Sequence, residues 1–136
     1  MFFENNPNLF IQPKSKSDPK TIGIIGTRQR NTNKDFLETE KIFLQNYKKG
    51  DIICSGLCPK GGDRFALILA DKYQTETLWF LADWEKYGRG AGFVRNTDIA
   101  KNSDILIAVV AKDRKGGTED TIKKYLKFSK TELILI

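Results

Sequence analysis

From Lys20 onward the chain alternates between short apolar runs and longer amphipathic segments. The apolar runs are TIGIIG (21–26), DIICSG (51–56), TETLWFLA (75–82), DILIAVVA (104–111) and TELILI (131–136). Between them lie DFLETEKIFLQNYKKG, GGDRFALILADKYQ, AGFVRNTDIAKN and GTEDTIKKYLKFS. Short runs read as strands and the amphipathic segments as helices, which predicts five strands interleaved with four helices. Ile105 to Val110 is apolar at every position, as a strand needs when helices cover both faces of its sheet. The predicted fold class is therefore α/β: a three-layer, Rossmann-like parallel sheet of about five strands with helices on both faces. In the first helix Phe36, Leu37, Phe43, Leu44 and Tyr47 recur at helical spacing and are expected to face the core, with Gly50 at its end.

Residues 1–19 break this rhythm. Pro7, Pro13 and Pro19 disfavour helix and predict an extended arm, while Phe2, Phe3, Leu9, Phe10 and Ile11 give that arm apolar surface to lay on the domain or on a second subunit. Residues 20–136 are then one Rossmann-like domain, and a homo-oligomer is an expected assembly. No run of about 18 apolar residues occurs, and the first residues lack a charged-then-apolar signal layout, so a cytoplasmic protein without membrane association is expected.

Composition narrows the chemistry. The chain has no histidine and two cysteines, Cys54 and Cys58, which excludes a Cys/His zinc site and both Ser-His-Asp and Cys-His catalysis. No metal or resident cofactor is expected. The net charge of +6 suits an anionic partner. Its lysines, however, are spread over helix positions such as Lys34, Lys41, Lys123 and Lys127, so nucleic acid is a permitted partner and a nucleotide-like small molecule the favoured one.

In an open parallel sheet, ligands bind beyond the carboxyl ends of the strands, so the residues just after each apolar run carry the information. After the first run, Gly26, Thr27 and Arg28 supply close backbone approach, a hydroxyl and a guanidinium for a phosphate or carboxylate. After the second, Ser55 and Gly56 lead to Lys60, Gly61, Gly62, Asp63 and Arg64, where paired glycines open a helix whose amides and dipole can receive an anion. Asp63 is expected to cap that helix, or else to meet a ribose hydroxyl or base. Lys115, Gly116, Gly117 and Thr118 repeat the pattern after the fourth run, with the Thr118 hydroxyl as cap or phosphate contact. The loop from Ala82 to Gly92 mixes acid, aromatic and glycine residues; Asp83, Trp84, Tyr87 and Gly88 are candidates there, Trp84 or Tyr87 for stacking on a base. Arg95 and Asn96, early in the next helix, are placed to face the same crevice.

Taken together, Gly26-Thr27-Arg28, Lys60-Gly61-Gly62-Asp63-Arg64, Ala82-Asp83-Trp84, Tyr87-Gly88, Ala91-Gly92, Arg95-Asn96 and Gly117-Thr118 resemble the YspA-like branch of the SLOG superfamily, which also holds DprA and the LOG phosphoribohydrolases. The resemblance spans roughly residues 20–130. It implies a Rossmann-like fold and a role in sensing or processing nucleotides or their derivatives. LOG enzymes split the bond between base and ribose 5-phosphate with a Gly-Gly-x-Gly-Thr-x-x-Glu motif. In this chain Gly116-Gly117-Thr118-Glu119-Asp120-Thr121 stands there, and Thr121 takes the place of the glutamate. Three functions follow as expectations: a nucleotide-binding or sensing protein, in first place; an N-glycosidic hydrolase using Asp83 or Glu119 to stabilise oxocarbenium charge or activate water; and a DprA-like binder of single-stranded DNA.

Overall fold

A computed structural model describes residues 18–136. The predicted arm, apart from Asp18 and Pro19, lies outside the described residues. Five strands, β1 (Thr21–Gly26), β2 (Ile52–Ser55), β3 (Glu76–Trp79), β4 (Ile105–Val109) and β5 (Leu133–Leu135), form one sheet in the order β3-β2-β1-β4-β5. Every neighbouring pair is parallel. The helices are α1 (Asn33–Asn46), α2 (Gly62–Tyr73), the single turn α3 (Trp84–Tyr87), α4 (Ala91–Asn102) and α5 (Gly117–Lys127). A short 3-10 turn, Gly88–Gly90, joins α3 to α4.

Strand periodicity builds the three layers. Ile22, Ile24, Ile105 and Ile107 point to one face and pack with Phe43 of α1 and Ala66 and Leu69 of α2. Ile25, Leu106 and Ala108 point to the other and pack with Ile99 of α4 and Ile122 and Tyr125 of α5. Removing one of the large, fully buried side chains, such as Phe43, leaves a cavity that costs roughly 3–5 kcal/mol.

The α1 stripe differs from the expectation at two positions. Phe43 is fully buried and Phe36 and Tyr47 pack against the same core, but Leu37 and Leu44 are 52% and 47% exposed. The buried line runs 36, 39 or 40, 43, 47, and positions 37 and 44 lie about 100° around the helix from it. Thr39 and Glu40 occupy that line instead. The Glu40 carboxylate is tolerated because Lys72 and the Tyr73 hydroxyl, at 2.8 Å, donate to it from α2, which pulls its pKa down.

Order matters for function at one place. The chain leaves β1 toward β2 on one side and later returns to β4 on the other, so the loops after β1 and β4 diverge and open a crevice at the carboxyl edge.

Candidate functional site

The crevice at this switch point is a cavity of about 380 Å³, within the range of small-molecule sites. Four parts of the chain enclose it: Ile25 to Gln29 at the end of β1, Cys58 and Asp63 around the start of α2, Arg95, Asn96 and Ile99 on α4, and Lys115 to Thr118 with Thr121 at the start of α5.

The β1 end is held by backbone and side-chain bonds. The Thr27 N–H donates to the Val109 carbonyl at 2.9 Å, pinning the loop to the end of β4, and the Thr27 hydroxyl accepts from the Gln29 N–H at 3.2 Å. Arg28 emerges from this turn and is exposed, and its Nε donates to the Cys58 sulfur at 3.1 Å. The second guanidinium comes from α4. The stem of Arg95 lies over Gly56, where a side-chain carbon would sit 3.0 Å from Arg95 Cδ. Arg95 Nε is buried and makes no hydrogen bond among the described residues, a condition that costs about 1–3 kcal/mol, more for a charged group, unless a partner arrives.

Between the two guanidiniums lies Asp63. It does not cap α2, whose N-cap is Gly61 without a side-chain bond; its Oδ2 accepts the Cys58 N–H at 3.0 Å. Burial is the largest influence and pushes the Asp63 carboxyl above its ordinary value, while the Cys58 N–H, Ser55, Arg95 and Arg28 pull it down. Ser55 also donates its hydroxyl to the Ile24 carbonyl at 2.6 Å, which fixes this side chain beneath the crevice.

On the far wall Asn96 is buried, and its amide nitrogen donates to Asp120 Oδ2 at 3.1 Å and the Gly117 carbonyl at 3.4 Å. With both donors committed to α5, the Asn96 oxygen is left as an acceptor at the cavity wall. Gly116, with φ +106, is the N-cap of α5 and has no side-chain cap bond. Thr118 therefore lies inside the first turn, and the first amides of α5 have no side chain closing them off. Thr121 is buried and donates its hydroxyl to the Gly117 carbonyl at 3.2 Å.

Of the residues singled out in the sequence, Gly26, Thr27, Arg28, Asp63, Arg95, Asn96, Gly116, Gly117 and Thr118 line this one cavity. Ser55 and Gly56 stand behind it, under Asp63 and Arg95. Gly61 and Gly62 are packed against β1: a methyl on Gly62 would fall inside the Ile25 and Gly26 backbone. Arg64 turns away, its Nε donating to Asn31 Oδ1 at 2.8 Å with the guanidinium over the Phe65 ring. Asp83 caps α3 by accepting the Lys86 N–H at 3.1 Å, and Glu119 is held by two bonds from Arg114 at 2.7 and 3.0 Å. Trp84, Tyr87 and Gly88 are exposed on α3 and the turn that follows, outside the cavity lining.

Three polar contributors escaped the sequence reading, besides the apolar wall of Ile25 and Ile99. Gln29 and Cys58 line the cavity, and Asn31 ties the β1 loop to α2 by accepting from the Gly61 N–H at 2.9 Å as well as from Arg64. The signal available for Cys58 was its position three residues after the end of β2, in the turn that Gly56 opens; Asn31 carried none. Among the described residues no group of three His, Cys, Asp or Glu side chains is placed to hold a metal, and no helix is long and apolar enough to cross a membrane.

No family model matches the chain, and no curated protein matches its sequence. Its fold is similar to that of the molybdenum cofactor binding protein from the phototrophic bacterium Rippkaea orientalis. The TM-score is 0.65 at 21% identity, covering 88% of this chain and 77% of that one. At that identity the likeness speaks to the fold, a Rossmann-like α/β sheet.

Proposed function

We propose that this chain binds a phosphate-bearing small molecule, a nucleotide or nucleotide derivative, in the crevice between the β1 and β4 loops, and that it belongs to the SLOG-like nucleotide binders its motifs resemble. The observation that carries this reading is the buried, unbonded Nε of Arg95 at a cavity that Arg28, Lys115 and the open first turn of α5 also face. Three cations and a helix N-terminus against one carboxyl make a site for an anion of more than one charge. The Asn96 oxygen and the Asp63 carboxyl supply the acceptors that a hydroxyl-bearing sugar requires. A protein of similar fold that binds a molybdenum cofactor supports the general idea of a small organic ligand carried on this scaffold.

Binding is favoured over cleavage. The two carboxylates expected to act in hydrolysis, Asp83 and Glu119, are engaged as a helix cap and an ion pair and do not line the cavity, and Thr121 replaces the LOG glutamate. Scattered lysines and the small volume of the crevice, about 380 Å³, likewise favour a small molecule over a DNA strand.

Isothermal titration against nucleoside mono- and diphosphates and ADP-ribose tests the reading. At least one should bind, and Arg95→Ala should weaken it roughly 10–100-fold, the loss of a charge-assisted hydrogen bond. Absence of binding by every phosphate-bearing ligand, or equal affinity in Arg28→Ala and Arg95→Ala, would contradict it. Release of free base during incubation would move the assignment to hydrolysis.

A further inference from the structure

Gly92 shares a face of α4 with Arg95, Asn96 and Ile99, the residues of that helix that line the crevice, and stands one turn closer to the start of the helix. A side-chain carbon built on it would lie 3.9 Å from Trp84 Cη2 and 4.0 Å from Arg95 Nη2, which are ordinary contacts. Its backbone lies in α4 and has no positive φ. Neither packing nor backbone angle therefore requires a glycine here, although glycine is among the poorest helix formers. Arg95 joins this point to the crevice. Its Cδ and Nε lie over Gly56 beside Asp63, and its Nη2 reaches Gly92.

The aromatic side chains of α3 and α4 differ in what covers them. Trp84, Phe93 and Tyr87 are 62%, 59% and 42% exposed. Lys124 Nζ lies over the Phe93 ring and Lys86 Nζ over the Tyr87 ring, each 5.2 Å from the centroid. Trp84 has neither a cation over its indole nor another ring against it among the described residues. The backbone that carries it is nevertheless fixed, because Asp83 caps α3 by accepting the Lys86 N–H at 3.1 Å. A large, bare π-face is thus held beside the outer end of Arg95, across an uncovered stretch of helix.

We infer that Trp84 is the platform on which the aromatic base of the ligand stacks, with the bare backbone at Gly92 as the passage between the indole and the crevice. This rests on the phosphate site proposed above and narrows its ligand to a molecule that carries a base, as against a sugar phosphate. The phosphate is held inside by Arg28, Arg95, Lys115 and the start of α5, the sugar crosses Gly92 beside Asn96, and the base leaves the crevice for the indole. Every base has a π-face, so such a platform selects for the presence of a base more than for its identity. Trp84 thereby acts from outside the cavity lining, and Tyr87, whose ring Lys86 already occupies, has no part in it.

Isothermal titration of the full chain with the 5′-mono- and diphosphates of adenosine, guanosine, cytidine and uridine, and with ribose 5-phosphate, tests this. Trp84→Ala should weaken the nucleotides roughly 5–100-fold, and ribose 5-phosphate by at least about fivefold less. Trp84→Phe keeps a ring and should recover most of the affinity, whereas Gly92→Leu fills the passage and should weaken the nucleotides selectively. Fluorescence adds a readout that damage to the fold does not mimic. Nucleotides, and not ribose 5-phosphate, should quench the indole emission, and the quenching should survive Trp79→Phe and vanish in Trp84→Phe. Unchanged nucleotide affinity in Trp84→Ala would overturn the stacking role and leave the phosphate site standing. Equal losses for nucleotides and ribose 5-phosphate would do the same, making the indole a support for Arg95. Failure of the wild type to bind any of these ligands would overturn both.

Discussion

Asp63 is the carboxyl that meets the crevice, and burial raises its pKa in the folded protein. A folded-state pKa above the unfolded one means the native chain holds the proton longer. The resulting stability is fully present below the ordinary aspartate value, near about 3.9, and is lost as pH climbs from there through the raised value. Asp63→Asn keeps an oxygen for the Cys58 N–H and removes the titration. Its stability relative to wild type should therefore grow from mildly acid to neutral pH. Urea unfolding of both proteins across that window measures the difference, and a constant or shrinking difference would contradict the assignment. The same variant removes a carboxylate from beside the proposed phosphate site, and at neutral pH it should bind nucleotide more tightly than wild type by a few fold.

The two thiols divide in the same way. Burial pushes Cys54 up to about 12, and its side chain is fully enclosed. Cys58 is half-buried at the cavity, beside Arg28. Iodoacetamide at neutral pH should label the native chain at Cys58 and spare Cys54, and a saturating nucleotide should slow the labelling. Peptide mass mapping reads both, and labelling of Cys54 before Cys58 would count against the geometry.

At the scale of the element, the glycines separate by what surrounds them. Gly62 presses α2 against the end of β1, where an added methyl has only backbone to displace. Gly62→Ala should cost roughly 1–3 kcal/mol or more by overpacking and lower the melting temperature by several degrees. Gly90 has helical backbone angles and open space around its missing side chain, so Gly90→Ala should be neutral or stabilising by up to about 1 kcal/mol. Thermal unfolding of the pair checks both, and equal effects would contradict the packing described. The paired glycines of the second turn thus read correctly as a helix start, and the sequence did not show that they also press α2 against β1. A glycine allows close approach, and the sequence does not say whether a ligand or a neighbouring strand makes it.

At the scale of the molecule, alternation of apolar and amphipathic segments determined all five strands, the four long helices and the class of fold, because each strand is buried by a pattern that local sequence records. The crevice was legible through the switch-point rule, which points to strand ends before any contact is known. What was not legible were the side chains that turn away. Arg64 finds Asn31 and Phe65, Glu119 finds Arg114, and Asp83 finds its own helix, each through partners that only the folded loops bring near. Leu37 and Leu44 were misplaced for a related reason: Glu40 is acceptable at a core position only because α2 brings Lys72 and Tyr73 to it.

The central claim is that a phosphate-bearing ligand sits between the β1 and α5 loops. An amide NMR titration of the full chain with the tightest ligand from the nucleotide panel tests it most directly. The predicted result is a contiguous set of saturable shifts at Thr27, Arg28, Gln29, Cys58, Gly116, Gly117 and Thr118, lost in Arg95→Ala, with the β3 edge unmoved. Shifts that gather on α3 or β3 instead, or that persist undiminished in Arg95→Ala, would contradict it.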